Sequence, residues 1–220
     1  MIKGILFGLD GTLLDTAPDL VATLNQMRGD KGFHSIPVED LRHFVARGLG
    51  GLIKAGMPPC DDETLARWRQ DFMLRSQANR HKLVRPFDGV ELLLSGLADA
   101  GVPWGIVTNK TGSLCQPLLE CAGYLSSASV VICGDTVGHE KPRPEPVLAA
   151  CESLGFDPHL VLMVGDDMRD IEAGRRAGCQ TAFARYGYGA REYLSDLTEE
   201  TVLIDSPGDL LKLLSSAAGT

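Results

Sequence analysis

No segment of this 220-residue chain approaches the roughly 20 consecutive apolar residues needed to cross a bilayer, so no membrane partner is expected. The opening run Met1-Ile2-Lys3-Gly4-Ile5-Leu6-Phe7 lacks the basic region, apolar stretch and small-residue cleavage site of a signal peptide. Basic residues are in short supply: 21 Lys and Arg against 29 Asp and Glu leave a formal charge of −8. That balance argues against nucleic acid or an anionic membrane as the main partner, and any anion site must be positive locally. None of the six cysteines (60, 115, 121, 133, 151, 179) forms a CxxC pair or stands at zinc spacing from a histidine. They read as buried, reduced thiols of a cytoplasmic protein. The histidines share no spacing, and neither an internal repeat nor a low-complexity segment is present.

Hydrophobic residues make up 44% of the chain and charged residues 23%, enough for a sizeable core. Residues 2–9 form a mostly apolar run ending in Gly and Leu before Asp10, the profile of a central parallel strand. Thr16-Ala17-Pro18-Asp19 then starts a helix, with a Thr able to cap, a Pro tolerated in the first turn and an acid at the positive end. From there to Arg80 the pattern is helical, with helices expected over 19–29, 39–46, 50–56 and 62–80. After Pro86 helix and strand alternate. Helices are expected over 90–100, 113–122, 145–154, 170–177 and 209–216, and strands over 102–108, 129–133, 160–164 and 181–184. Gly101, Gly123, Gly155 and Gly178 stand at the helix-to-strand returns as C-caps. The expected fold is α/β, a doubly wound parallel sheet over 1–15 and 83–220 with a helical domain inserted at 16–82.

Ligands of such a sheet gather at the carboxyl ends of its strands, where strand order reverses. Four expected strands end in polar residues: Asp10-Gly11-Thr12, Thr108-Asn109-Lys110, Gly134-Asp135 running on to Lys141, and Gly165-Asp166-Asp167 with Asp170 following. Acids gathered at one edge repel each other and stay ionised when a divalent cation sits between them. Mg2+ suits carboxylates together with phosphate oxygens and water, and a Thr hydroxyl and a Lys ammonium then hold the remaining phosphoryl oxygens. The set points to phosphoryl chemistry. Taken singly, Thr108 reads as a strand-end cap, Asp170 as the N-cap of its helix, Asp167 as a helix-start acid and Lys141 as a loop lysine.

Residues 5–16, Ile-Leu-Phe-Gly-Leu-Asp-Gly-Thr-Leu-Leu-Asp-Thr, resemble the first motif of the haloacid dehalogenase-like hydrolases, an Asp-x-Asp-Gly-Thr run. The likeness continues through Val-Thr-Asn-Lys at 107–110, Lys-Pro-Arg-Pro-Glu-Pro at 141–146 and Gly-Asp-Asp-Met-Arg-Asp at 165–170, and covers nearly the whole chain. Those segments, with Gly134-Asp135-Thr136, most resemble the phosphoglycolate phosphatase branch, which also contains amino-sugar phosphate phosphatases. The resemblance implies a Mg2+-dependent hydrolase of small phosphorylated metabolites with a helical cap. It makes Asp10 the general acid/base, its backbone carbonyl also reaching Mg2+. It makes Thr108, Asn109 and Lys141 phosphate contacts, Asp166 a Mg2+ ligand, and Asp170 a support for the metal's water shell. Arg47, in Ala-Arg-Gly-Leu-Gly-Gly, stands where capped relatives place a substrate contact.

The family's nucleophile would stand at position 8, and this chain has Gly8 there. Gly8 offers neither an attacking oxygen nor a charge, and Asp10, two residues on, serves the leaving group from another angle. Removal of a covalent nucleophile costs on the order of 10⁴–10⁶ in turnover. Three readings follow: a substitution in an otherwise active enzyme, a non-catalytic relative that binds a phosphorylated ligand or partner, or direct attack by water with Asp10 as base. The intact remainder of the site favours the first. A haloacid dehalogenase fits less well, since that chemistry does not need the metal cluster implied by Asp166 and Asp170. The sequence does not indicate an oligomeric state.

Overall fold

A computed structural model describes residues 1–79, 81–189, 195 and 197–217. The chain divides into two compact units, Met1–Leu14 with Pro86–Thr220, and Asp15–Arg85.

The first unit is a six-stranded, wholly parallel sheet. Its strands are β1 (Gly4–Phe7), β4 (Trp104–Val107), β5 (Val130–Ile132), β6 (Val161–Gly165), β7 (Gln180–Ala184) and β8 (Val202–Ile204). The order across the sheet is β5-β4-β1-β6-β7-β8, so strand order reverses between β1 and β6. Two-residue strands β2 (Leu14–Asp15) and β3 (Arg85–Pro86) fall at the boundaries of the units. Helices α5 (Val90–Asp99), α6 (Gly112–Cys121), α7 (Glu145–Leu154), α8 (Met168–Ala177) and α9 (Pro207–Ala217) connect or close the sheet. Every residue of β1, β4 and β6 is buried, which a parallel strand achieves only when both faces are covered. On one face Leu6, Val107 and Met163 pack with Val147, Ala150 and Cys151 of α7 and Ala173 and Ala177 of α8. Ile5 and Phe7 point the opposite way and are equally buried, with Phe7 edge-on to Trp104 at 6.0 Å.

The second unit holds α1 (Ala17–Gly29), α2 (Val38–Val45), α3 (Gly48–Gly56) and α4 (Asp62–Asn79). Val21, Leu24, Met27, Leu41, Leu52, Ile53, Leu65 and Phe72 are among its buried apolar side chains. Asp19 and His81 are buried beside each other, with Nδ1 3.4 Å from Oδ2.

Several local expectations change. Gly155 and Gly178 end their helices in the left-handed region at φ 75° and 86°. Gly123 instead opens a 3₁₀ turn after an Ala122 cap, so it is not the C-cap its position suggested. Thr16 stands at the N-cap of α1 but makes no side-chain capping bond. Helix α8 starts at Met168 because Asp167, not Asp170, is its N-cap. Strand β8 has no counterpart in the sequence reading, and Arg80, the expected end of α4, lies outside the described residues. None of the six cysteines is bridged in a disulfide, and Cys60 and Cys121 are exposed rather than buried.

Candidate active site

Strand order reverses between β1 and β6, the place where ligands of such sheets bind, and both strands deliver polar residues there. The chain after β1 folds into a closed turn. Leu13 and Leu14 donate to the Leu9 carbonyl at 3.0 and 2.9 Å, and Gly11 donates to Leu14 at 3.0 Å. Gly11 has φ 81°, and a Cβ on it would lie 2.0 Å from an Asp166 carboxylate oxygen, so turn and approach both require glycine. The approach lets the fully buried Thr12 hydroxyl donate to Asp166 Oδ1 at 2.9 Å. Gly165 plays the same part at the end of β6, where a Cβ would collide with Asp170 at 2.2 Å.

Asp166 is buried and also accepts the Tyr188 amide at Oδ2, 2.9 Å away. Burial first, and the charge of Asp170 second, push its carboxyl from 3.8 up to about 7. Asp170 is held from two sides. Lys141 Nζ lies 2.6 Å from its Oδ1, and the Asp167 amide donates to its Oδ2 at 3.2 Å. The second bond is half of a capping box whose other half is the Asp167 side chain accepting from the Asp170 amide, and the same carboxylate also accepts the Arg169 amide at 2.9 Å. Asp167 is thereby an N-cap and an ion-pair partner of Arg169 Nε at 2.7 Å.

Lys141 is a buried ammonium rather than a solvated loop lysine, donating to Asp170 and to the Val107 carbonyl at the end of β4. Asn109 positions it. Its Nδ2 donates to the Lys141 carbonyl at 2.8 Å, and its Oδ1 accepts the Lys141 amide at 2.9 Å. The side chain expected to reach phosphate is thus engaged with the main chain that carries Lys141. Thr108 is buried, and its hydroxyl accepts the Lys110 amide at 3.1 Å, leaving its own proton to donate. Lys110 Nζ lies 3.2 Å from Asp10 Oδ2, and both side chains are largely shielded. Asp135 accepts the Gly112 amide at 2.9 Å, anchoring the first turn of α6.

At Gly8 the geometry is specific. A Cβ there would lie 2.7 Å from Thr12 Oγ1 and 3.6 Å from Asp170 Oδ2, so a side chain at position 8 points into the acid–lysine cluster. Arg47 belongs to the second unit, where it precedes α3, is exposed, and sets its guanidinium 5.0 Å over the Phe44 ring.

Three contacts had no forerunner in the sequence reading: the Lys110–Asp10 pair, the Tyr188 amide on Asp166, and Tyr186 donating from its hydroxyl to the Thr12 carbonyl at 3.0 Å. The signal for the tyrosines was a fifth polar strand end, Arg185-Tyr186-Gly187-Tyr188 after β7.

The chain thus has an open parallel α/β sheet with a buried Asp–Lys cluster at its reversal point. Residues 5–184 match the sequence pattern of the haloacid dehalogenase-like hydrolase family. The N-acetylmuramic acid 6-phosphate phosphatase of Pseudomonas aeruginosa is 40% identical over 217 residues, covering 98% of this chain and 96% of that protein. The phosphoglycolate phosphatase of Xylella fastidiosa is 39% identical over 205 residues, covering 93% and 90%. A crystal structure described as a predicted phosphoglycolate phosphatase from Haemophilus somnus superposes with a TM-score of 0.84 at 25% identity, covering 97% of this chain and 98% of that one. The chain belongs to the haloacid dehalogenase-like hydrolases.

Proposed function

We propose that this chain binds phosphate monoesters of small metabolites in a Mg2+-dependent phosphatase site, and that Gly8 leaves it a very slow hydrolase. The observation that carries the second half is the direction of position 8, whose Cβ would point at Thr12 and Asp170 in the middle of the cluster. An aspartate there would add the attacking oxygen; glycine supplies none.

The donor set supports Mg2+. All its atoms are hard oxygens, and a cation beside the buried Asp166 would favour the charged form that burial disfavours. Asp166 and the Asp10 carbonyl would hold the metal, with Asp170 orienting its water. Among the described residues no group of three or more Asp, Glu, His or Cys is placed to hold a metal. Bound Mg2+ neutralises charge that develops on the phosphoryl oxygens. Lys141 adds a fixed positive charge at the end of β4, and Thr108 offers a hydroxyl proton. Asp10, held by Lys110, moves the proton to the leaving group or from water.

The relatives named above are phosphatases of phosphoglycolate and of N-acetylmuramic acid 6-phosphate. That supports a small phosphomonoester as the ligand class here, with Asp15–Arg85 as the cap and Arg47 as its substrate contact. The absence of a cysteine pairing pattern supports a reducing, cytoplasmic setting.

The test is p-nitrophenyl phosphate hydrolysis with Mg2+, for this chain and for Gly8→Asp. The expected gain on restoring the acid is on the order of 10⁴ in turnover. Equal rates would overturn the account of Gly8. An inert Gly8→Asp that still binds phosphorylated metabolites would make the protein a binding module.

A further inference from the structure

The turn after β7 meets the site three times, and its side chains are not placed among the expected reacting groups. Gly187 is pressed against the cluster: a Cβ on it would lie 2.2 Å from Asp166 Cβ and 2.4 Å from the Gly11 carbonyl. On one side of it the Tyr188 amide donates to Asp166 Oδ2 at 2.9 Å. On the other the Tyr186 hydroxyl donates to the Thr12 carbonyl at 3.0 Å. Thr12 in turn donates to the other oxygen of the same carboxylate. Asp166 is therefore gripped at both oxygens, and the two grips are tied to each other through Tyr186.

The turn is itself anchored. Gly187 donates back to Ala184 at 3.1 Å, and Arg185 donates from its amide to Ile204 of β8 at 2.9 Å. Phe87 packs on both tyrosine rings, at 5.3 Å and 5.9 Å between centroids. The Phe87 amide donates to Leu13 within the turn that follows β1. Tyr188 is buried, so the turn is packed into the unit rather than lying on its surface. Packing alone does not call for a glycine pressed on a carboxylate or for an amide aimed at it, because apolar contact is non-directional.

We propose that Tyr186-Gly187-Tyr188 is a positioning element for the metal-side carboxylate, fixing the rotamer of Asp166 and its register with the Gly11–Thr12 turn. This rests on the reading of Asp166 as a Mg2+ ligand. Groups that orient a metal ligand from behind are worth about 10–100-fold in metal affinity. The turn acts on how well the carboxylate is presented, so its loss weakens the metal before it unfolds the sheet.

The experiment is Mg2+ titration by calorimetry, with full-length Gly8→Asp as the reference protein. Gly187→Ala in that background inserts a methyl between Asp166 and Gly11 and is expected to raise the Mg2+ Kd about tenfold or more. Tyr186→Phe removes only the hydroxyl and keeps the ring on Phe87, and a rise of about threefold is expected, with little change in thermal midpoint. The Tyr188 amide resonance, followed by ¹⁵N NMR, is expected to move on Mg2+ addition. Unchanged Kd values in both variants, or an amide that ignores the metal while Gly8→Asp binds it, would overturn the proposal. Should Gly8→Asp bind no Mg2+ at all, the reading of Asp166 falls first and the positioning role with it.

Discussion

Restoring aspartate at position 8 should destabilise the metal-free protein even as it restores chemistry. The Cβ would stand 2.7 Å from Thr12 Oγ1, so the hydroxyl must rotate and release Asp166. A hydrogen bond to a charged group contributes about 1.5–3 kcal/mol. The new carboxylate would enter beside the buried Asp170. Two such charges about 5 Å apart at an effective dielectric of about 20 repel by about 3 kcal/mol. Lys141 offsets part of this, and replacing a strand-end glycine returns about 0.5–1 kcal/mol. The balance is a loss of about 3 kcal/mol in EDTA, which for a chain of this size lowers the melting midpoint by about 6–12 °C. Mg2+ at a hundredfold excess over its Kd returns about 2.7 kcal/mol. Thermal unfolding by circular dichroism, with EDTA and with Mg2+, reads both numbers. A Gly8→Asp protein as stable as the parent in EDTA, with no larger response to Mg2+, would refute the placement of position 8 inside the acid cluster.

Two further outcomes follow from the same geometry. The Asp166 carboxyl is raised from 3.8 to about 7 in the folded chain, so between those values the folded state binds more protons than the unfolded one. Its contribution is therefore fully present below about pH 4 and is lost as pH rises through about 7. Urea midpoints of the metal-free protein should show this fall and those in Mg2+ should not; a metal-free curve without the fall rules the shift out. Lys141→Met leaves Asp170 buried without its cation and should cost about 3–5 kcal/mol by urea unfolding. Asp170→Asn in the same variant should recover a large part of that loss; strict additivity of the two changes would show that the pair is not coupled.

The parallel core was readable in the chain because buried strands are apolar runs and the returns to them pass through glycine. Gly155 and Gly178 kept that role. Gly123 did not, since α6 ends at Cys121 with Ala122 as its cap and a 3₁₀ turn follows. Strand β8 escaped notice because it is three residues long, lies at the sheet edge and leaves Val202 and Leu203 exposed, which gives no alternating pattern. Asp167 and Asp170 both suit an N-cap. The choice depended on where the backbone turns helical, and Asp167 at φ −122° and ψ 148° is the last extended residue. The resemblance makes Asn109 a phosphate contact, and the fold turns its side-chain amide to the main chain of Lys141, 32 residues away in sequence.

Residue identity alone determined the inventory: the order of the acids, the threonines and the lysine, and the glycine at position 8. These are chemical properties of single positions and need no coordinates. Only the tertiary structure decided which of them meet. Thr12 and Asp166 are separated by 154 residues, and their bond, the 2.0 Å clearance at Gly11 and the grip of the Tyr186–Tyr188 turn depend on tenths of an ångström between distant segments. Helical and strand periodicity report which face of an element is buried and carry no information about such distances. The sequence puts glycine at position 8, where the motif it resembles has aspartate. The fold shows that it faces a closed, charge-paired cluster that one more carboxylate would both arm and strain.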